Sequence, residues 1–350
     1  MKYILIFLIL SFFSLEAFEQ LIDLEKIGGT KNPPHKVVFG KHTKKVNKKK
    51  QETVRTSVNK NIQKVITSNK KQTLLPAFIS PMELKKILND SNTIIIDTDS
   101  SKIYNKGHIN NAINVNIHNF IKEELNPYHL MKSNSSIKNR IIDLGINKDS
   151  KVIIYSHNID TTELNSSYLA FILITFGFEN VSILNGGYMA WVFENERLVS
   201  SESFSAKDDG NFIPKKNQNI IVTQDYVLNN IANSKMLDAR DSMYYYGTHK
   251  SPKTKAYGHI PNAKSSYYGN KFYIDKTLRE KNELNEIYFQ GFNLNKDEEV
   301  IVYADNIFVA SMEWYILYKS MGFKNAKIYE ASLVEYFRDS TNPKIRFKWE

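Results

Sequence analysis

A chain of 350 residues, 42% apolar and 24% charged, is long enough for two domains of ordinary size, each with its own buried core. The absence of cysteine excludes a disulfide framework, thiolate metal sites, a lipid anchor on an N-terminal cysteine and every mechanism whose nucleophile is sulfur. The net charge of +10 is concentrated between Lys26 and Lys71, where fourteen Lys or Arg stand against one acid, Glu52, so the high charge describes a tail and the rest is mildly acidic.

At the start of the chain, Lys2 and the apolar run from Tyr3 to Phe13, interrupted only by Ser11 and closed by the small residue Ala17, read as a secretory signal peptide over 1–17. This run is too short to span a bilayer, which takes about 20 apolar residues. No later segment is apolar enough to cross either, so the expectation is an exported protein, periplasmic or extracellular, with no transmembrane helix in the mature chain. Residues 18–75 are rich in Lys, Asn, Thr and Gln and poor in apolar residues, a composition that cannot offset its ordering entropy and is expected to be disordered. Such a segment is either a solvated spacer or a contact for an anionic surface such as lipid headgroups, cell-wall polyanions or an acidic partner. Nucleic acid is not expected as a partner.

Residues 76–200 carry the first set of ordered elements. Ser80-Pro81-Met82-Glu83 is a helix start, with a capping Ser, Pro at the first position and Glu three residues after the cap. Thr93–Asp97 is a buried strand ending on a carboxylate, and a second strand runs to Tyr155. The apolar stretch Ser166–Phe176 is a helix closed by Gly177, and Val181–Leu184 is a strand leading into Asn185-Gly186-Gly187. After a polar linker, 201–217, the same order of events returns over 218–350. Gly177 and Gly322, Asp97 and Asp238, and Gly107 and Gly258 lie 145, 141 and 151 positions apart, a drift that loop lengths account for. The repeat is therefore a duplicated domain rather than a short solenoid unit. Buried strands alternating with helices place both copies in the α/β class, each a mostly parallel sheet flanked by helices. Ligands of such sheets gather at the carboxyl ends of strands, which here are the loops after Tyr155 and Tyr303.

The motifs at those ends resemble the two-domain (tandem) rhodanese family of thiosulfate and 3-mercaptopyruvate sulfurtransferases. The first copy has Asp97, Tyr104, Gly107-His108-Ile109 and Leu184-Asn185-Gly186-Gly187-Tyr188-Met189-Ala190-Trp191. The second has Leu237-Asp238-Ala239-Arg240, Tyr245, Gly258-His259-Ile260-Pro261-Asn262-Ala263 and the stretch from Tyr329 to Tyr336. The resemblance implies two rhodanese-like domains and a cysteine after the strand of the second one, held in a six-residue loop. Backbone N–H groups and a helix N-terminus in that loop would stabilise a thiolate and then a persulfide.

The matching stretch is Tyr303-Ala304-Asp305-Asn306-Ile307-Phe308-Val309, which leads into Ala310-Ser311-Met312 and puts Ala304 where the resemblance calls for cysteine. Alanine offers no lone pair and no ionisable proton. Ser156, after Tyr155 in the first copy, is too weakly acidic to cycle a persulfide. Over the degenerate loop 304–311, Asn306-Ile307 replaces the glycines expected where the chain turns, and Asp305 adds a negative charge where an anion should be attracted. These departures together favour natural degeneration over a single engineered change. The expectation is a catalytically inactive, exported binding or scaffold module whose partner is a small sulfur-containing anion or a protein. The alternatives are a sulfur-anion carrier in thiosulfate or 3-mercaptopyruvate metabolism, and an active sulfurtransferase parent with its cysteine substituted.

Among individual residues, Arg240 resembles the family's substrate-side arginine and is either an anion contact or a structural ion pair, for instance with Asp305. Asp97 and Asp238 are expected to hydrogen-bond neighbouring loops, and His108 and His259 to be structural residues at turns. His157, beside Ser156, does not make a serine hydrolase, because adjacent strand-end residues point to opposite sides. No cofactor is expected, and no spacing of His or acids argues for a metal.

Overall fold

The computed structural model describes residues 73–122, 130–158, 163–195, 198–206 and 208–349. The expected signal peptide and nearly all of the Lys-rich segment lie outside the described residues. Among those described, no helix is long and apolar enough to cross a membrane.

The first copy contains β1 (Phe78–Ile79), α1 (Pro81–Ile87), β2 (Thr93–Asp97), α2 (Ser101–Tyr104), β3 (His108–Ile109), β4 (Ala112–Asn114), α3 (Asn134–Asp143), β5 (Lys151–Tyr155), α4 (Glu163–Thr175), β6 (Val181–Leu184), α5 (Gly187–Asn195) and β7 (Val199–Ser200). Its start is fixed by a capping box in which Ser80 accepts from the Glu83 N–H and the Glu83 carboxylate accepts from the Ser80 N–H. The second copy contains β8 (Ile221–Val222), α6 (Gln224–Asn230), β9 (Lys235–Asp238), α7 (Ser242–Tyr245), β10 (Ala263–Ser265), α8 (Lys281–Asn285), β11 (Val300–Tyr303), α9 (Ile307–Tyr315), β12 (Ala326–Tyr329) and α10 (Ser332–Tyr336).

The two five-stranded sheets have the same topology. Strand order is β1-β6-β5-β2-β4 in one and β8-β12-β11-β9-β10 in the other, and every neighbouring pair is parallel. The expected α/β class, with two parallel sheets flanked by helices, is what the chain adopts. Both central strands, β5 and β11, are buried almost throughout, because helices cover each sheet on both faces. In register, Asp97 pairs with Tyr155 and Asp238 with Tyr303, so each strand-end carboxylate sits beside the residue that opens the candidate loop.

The copies join through α4 and α9, which are apolar nearly all round and pack against one another. Ser167 Oγ lies 3.2 Å from Ser311 Oγ across this seam, and the Phe171 and Trp314 rings meet edge to face at 5.0 Å. One continuous core cluster draws residues from both copies, including Ile154, Phe171, Val302 and Trp314.

The polar stretch after β7 is no loose tether. Phe212 packs its ring on Phe178 at 5.2 Å, and Gly210 passes so close to the chain that a Cβ there would lie 2.0 Å from Ile146 O. Only glycine permits that approach.

Candidate functional site

In the second copy, β11 delivers Ala304 to the carboxyl end of the sheet with no exposed surface. Its N–H donates to Ser332 Oγ at 3.3 Å, and that hydroxyl in turn donates to Tyr329 O at 2.9 Å. Ser332 reaches this position from the left-handed region, at φ +52°. Ala304 O and Asp305 O accept from the N–H groups of Leu333 and Val334 at 3.0 and 3.2 Å. Asn306 is extended and caps α9, its Oδ1 accepting from Phe308 N–H at 3.1 Å. Ile307 is fully buried, Phe308 lies 4.8 Å from the Tyr168 ring, and Val309 packs partly buried against the core. A loop of the expected kind would offer free N–H groups to an anion. Here two of them are already met by the chain's own Ser332 and Asn306 side chains.

Arg240 is also engaged. Its Nε donates to Asp238 Oδ1 at 2.9 Å, Nη2 to Asp238 Oδ2 at 2.6 Å and to Gly258 O at 2.8 Å, and Nη1 to Asp305 Oδ1 at 3.4 Å. Burial disfavours the charge, but the Asp238 and Asp305 carboxylates outweigh it and hold the guanidinium pKa above its ordinary value. Burial raises the Asp305 pKa, an effect that the neighbouring Arg240 opposes. At 4% exposure, the arginine has a structural ion pair on both sides and little surface for a diffusing anion.

The histidines of the two Gly-His-Ile motifs occupy matching places. His108 stacks on Tyr104 at 3.8 Å and places Nδ1 3.0 Å from Tyr104 O and Nε2 3.0 Å from Glu202 O. His259 stacks on Tyr245 at 3.7 Å, with Nδ1 2.7 Å from Tyr245 O. Both are buried and fix the turn that follows a short helix.

In the first copy, Ser156 donates to Asn158 Oδ1 at 2.9 Å. Gly187 makes room for this loop, since a Cβ there would stand 2.6 Å from Ser156 O and its φ is +64°. His157 turns the other way. Its Nδ1 is 2.6 Å from Asp99 Oδ2 and 3.9 Å from Asp97 Oδ2, and its Nε2 is 3.2 Å from Gly107 O. Asp97 Oδ1 accepts from Asp99 N–H at 2.8 Å, just as Asp238 Oδ1 accepts from Arg240 N–H at 3.1 Å in the second copy. Burial, helped by the charge of Asp99, pushes the Asp97 carboxyl up to about 6.

No spacing of His or acids along the chain argues for a metal, yet three such residues meet in space. Asp97, Asp99 and His157 bring their ligand atoms within 4.8 Å of one another, all three residues buried. Linear spacing conceals the group because His157 lies 58 positions from Asp99 and is delivered by a neighbouring parallel strand.

The family model for the rhodanese-like domain matches the chain twice, over residues 80–194 and 223–339. The sulfur carrier protein TtuD of Thermus thermophilus is 26% identical over 270 residues, covering 71% of this chain and 89% of that protein. A putative thiosulfate sulfurtransferase of Saccharopolyspora erythraea is 23% identical over 256 residues, with 71% and 89% covered. Among solved structures, YnjE superposes with a TM-score of 0.68 at 18% identity, covering 78% of this chain and 69% of that one. The anaerobic ergothioneine biosynthesis enzyme from Chlorobium limicola, in complex with trimethyl histidine, does so with a TM-score of 0.65 at 19% identity, covering 78% and 71%. At that identity the two structures speak for the fold alone.

Proposed function

The chain belongs to the rhodanese family, and from that membership we propose that it is a tandem-rhodanese body that binds rather than transfers sulfur. The observation that carries the reading is the second-copy loop. Ala304 stands where the reacting thiol is called for, and its N–H is bonded to Ser332 Oγ. Covalent sulfur transfer needs a nucleophile that forms and releases a persulfide, and a chain without cysteine offers none. The lone hydroxyl at the matching place of the first copy, Ser156, is committed to Asn158. The N-terminal apolar run supports an exported, periplasmic or extracellular setting, where the body acts as a scaffold or binding module for a protein partner. The test is a thiosulfate-to-cyanide assay on purified protein, together with mass spectrometry of the intact chain after treatment with a sulfane-sulfur donor. Background-level turnover and an unchanged mass are expected. Thiocyanate formation at an enzyme-like rate, or an added sulfur on the chain, sinks the reading.

A second reading, carriage of a sulfur anion without covalent attachment, is favoured by the name of the Thermus relative, a sulfur carrier protein. It needs a free cationic contact, whereas Arg240 is already engaged by Asp238, Asp305 and Gly258 O. Calorimetry with thiosulfate separates the two readings. Heat that is present in the wild type and lost in Arg240→Ala supports carriage, and no heat in either removes it.

A further inference from the structure

The duplicated domain allows each position of one copy to be compared with its counterpart in the other, and the comparison exposes a missing cation. In the second copy, two carboxylates, Asp238 and Asp305, face the Arg240 guanidinium, and Arg240 Nη2 donates to Gly258 O at 2.8 Å. The corresponding residues of the first copy are Asp97, His157, Asp99 and Gly107. The position of the guanidinium-bearing residue has thus become a second acid. The imidazole has taken over the contact with the glycine carbonyl, Nε2 lying 3.2 Å from Gly107 O.

A carbonyl oxygen only accepts, so Nε2 carries a proton and Nδ1 is the atom left facing the acids, at 2.6 Å from Asp99 Oδ2 and 3.9 Å from Asp97 Oδ2. An imidazole lone pair does not rest against a carboxylate without a positive centre between them, either a proton or a metal ion. A proton on Nδ1 answers Asp99 Oδ2 alone. Asp99 Oδ1 and Asp97 Oδ2 are then left without hydrogen-bond partners on residues that are 1% and 0% exposed. Tyr155 is the hydroxyl that bears on Asp97 and favours its charged form, while its oxygen accepts from Ile109 N–H at 3.0 Å; it offers nothing to Asp99 Oδ1. Buried carboxylate oxygens without donors are costly, and a divalent ion would satisfy both acids and the ring nitrogen at once.

We propose that Asp97, Asp99 and His157 form a binding site for a divalent transition-metal ion of the Zn²⁺ type, occupying the place that a guanidinium fills in the second copy. One imidazole and two carboxylates are ligands that such ions accept, with bonds of about 2.0–2.2 Å. Donors already within 4.8 Å of one another close onto an ion by small side-chain rotations. The Nε2–H to Gly107 O contact is the backbone anchor that commonly orients a metal-binding histidine. Tyr188 covers the ring, its centroid 3.9 Å from that of His157. Three protein ligands leave one coordination position for water or an added anion.

The test uses the full chain, stripped with chelator and titrated with Co²⁺ as a spectroscopic probe and Zn²⁺ as the native-like ion. One equivalent of Co²⁺ is expected to bind with visible d–d absorption, and Zn²⁺ to raise the thermal midpoint of the stripped protein. His157→Gln and Asp97→Asn, with folding checked by circular dichroism, should each weaken binding by more than about 100-fold, beyond the loss of a mere orienting partner. No uptake by the wild type overturns the proposal, as does uptake that persists undiminished in both variants, which would place the ion elsewhere. Should the variants fail to fold, NMR of the wild type decides. Co²⁺ must shift the His157 and Tyr188 resonances, and a spectrum in which those signals stay fixed while other histidines move refutes the site.

Discussion

Restoring the thiol with Ala304→Cys tests whether the second-copy loop still works as a thiolate cradle. In a working cradle, N–H donors and a helix N-terminus lower the thiol pKa well below the ordinary value of about 8.5. Here the Ala304 N–H is held by Ser332 Oγ at 3.3 Å, the Phe308 N–H by Asn306 Oδ1 at 3.1 Å, and the Arg240 charge by Asp238 and Asp305. The position is fully buried, which further disfavours an anion. The thiol of the variant should therefore titrate at or above about 8.5, leaving a few per cent thiolate at most near neutral pH. A triple variant, Ala304→Cys with Asn306→Gly and Ser332→Gly, frees both donors. A hydrogen bond to a charged group contributes about 1.5–3 kcal/mol, or about 1–2 pKa units, so the triple variant should titrate at least about one unit below the single one. The assay is the pH dependence of iodoacetamide alkylation, followed by mass spectrometry for persulfide after thiosulfate. A single variant that titrates below about 7, or that takes up sulfur efficiently, refutes the argument that the loop is filled from within.

Arg240→Met should cost about 3–5 kcal/mol in urea unfolding, because it leaves Asp238 buried without its cation, while any thiosulfate heat stays unchanged. Gly187→Ala should cost about 1–3 kcal/mol, since φ is +64° and the new Cβ would meet Ser156 O at 2.6 Å; a thermal midpoint equal to that of wild type would contradict this packing. Glu330 is a half-buried acid that accepts from Met131 N–H at 2.7 Å, and loss of water around it raises its pKa. A raised folded-state pKa means the native protein binds the proton more tightly than the unfolded chain. Stability from this group is therefore full at acid pH and declines as pH rises from the unfolded to the folded value. Glu330→Gln keeps the acceptor and removes the charge, so it should be more stable than wild type near neutral pH and show no such gain below about pH 4. Unfolding curves at the two pH values check the sign.

The linear sequence was enough to reveal the duplication, the α/β class and the strand ends carrying Asp97 and Asp238, because buried parallel strands, helix caps and repeated Gly-His-Ile motifs are local patterns. The missing nucleophile was equally legible, since an absent residue type needs no fold to be read. Tertiary structure alone decided what the two loops became. Parallel strands set Asp97 beside Tyr155 and Asp238 beside Tyr303, and that register carries His157 to Asp99 and Asp305 to Arg240 across long stretches of chain. Ser332 meeting the Ala304 N–H, and His157 making with Gly107 O the contact that Arg240 makes with Gly258 O, are facts of position in space. Spacing along the chain could not express them, because the partners come from different loops that meet only when the sheet forms.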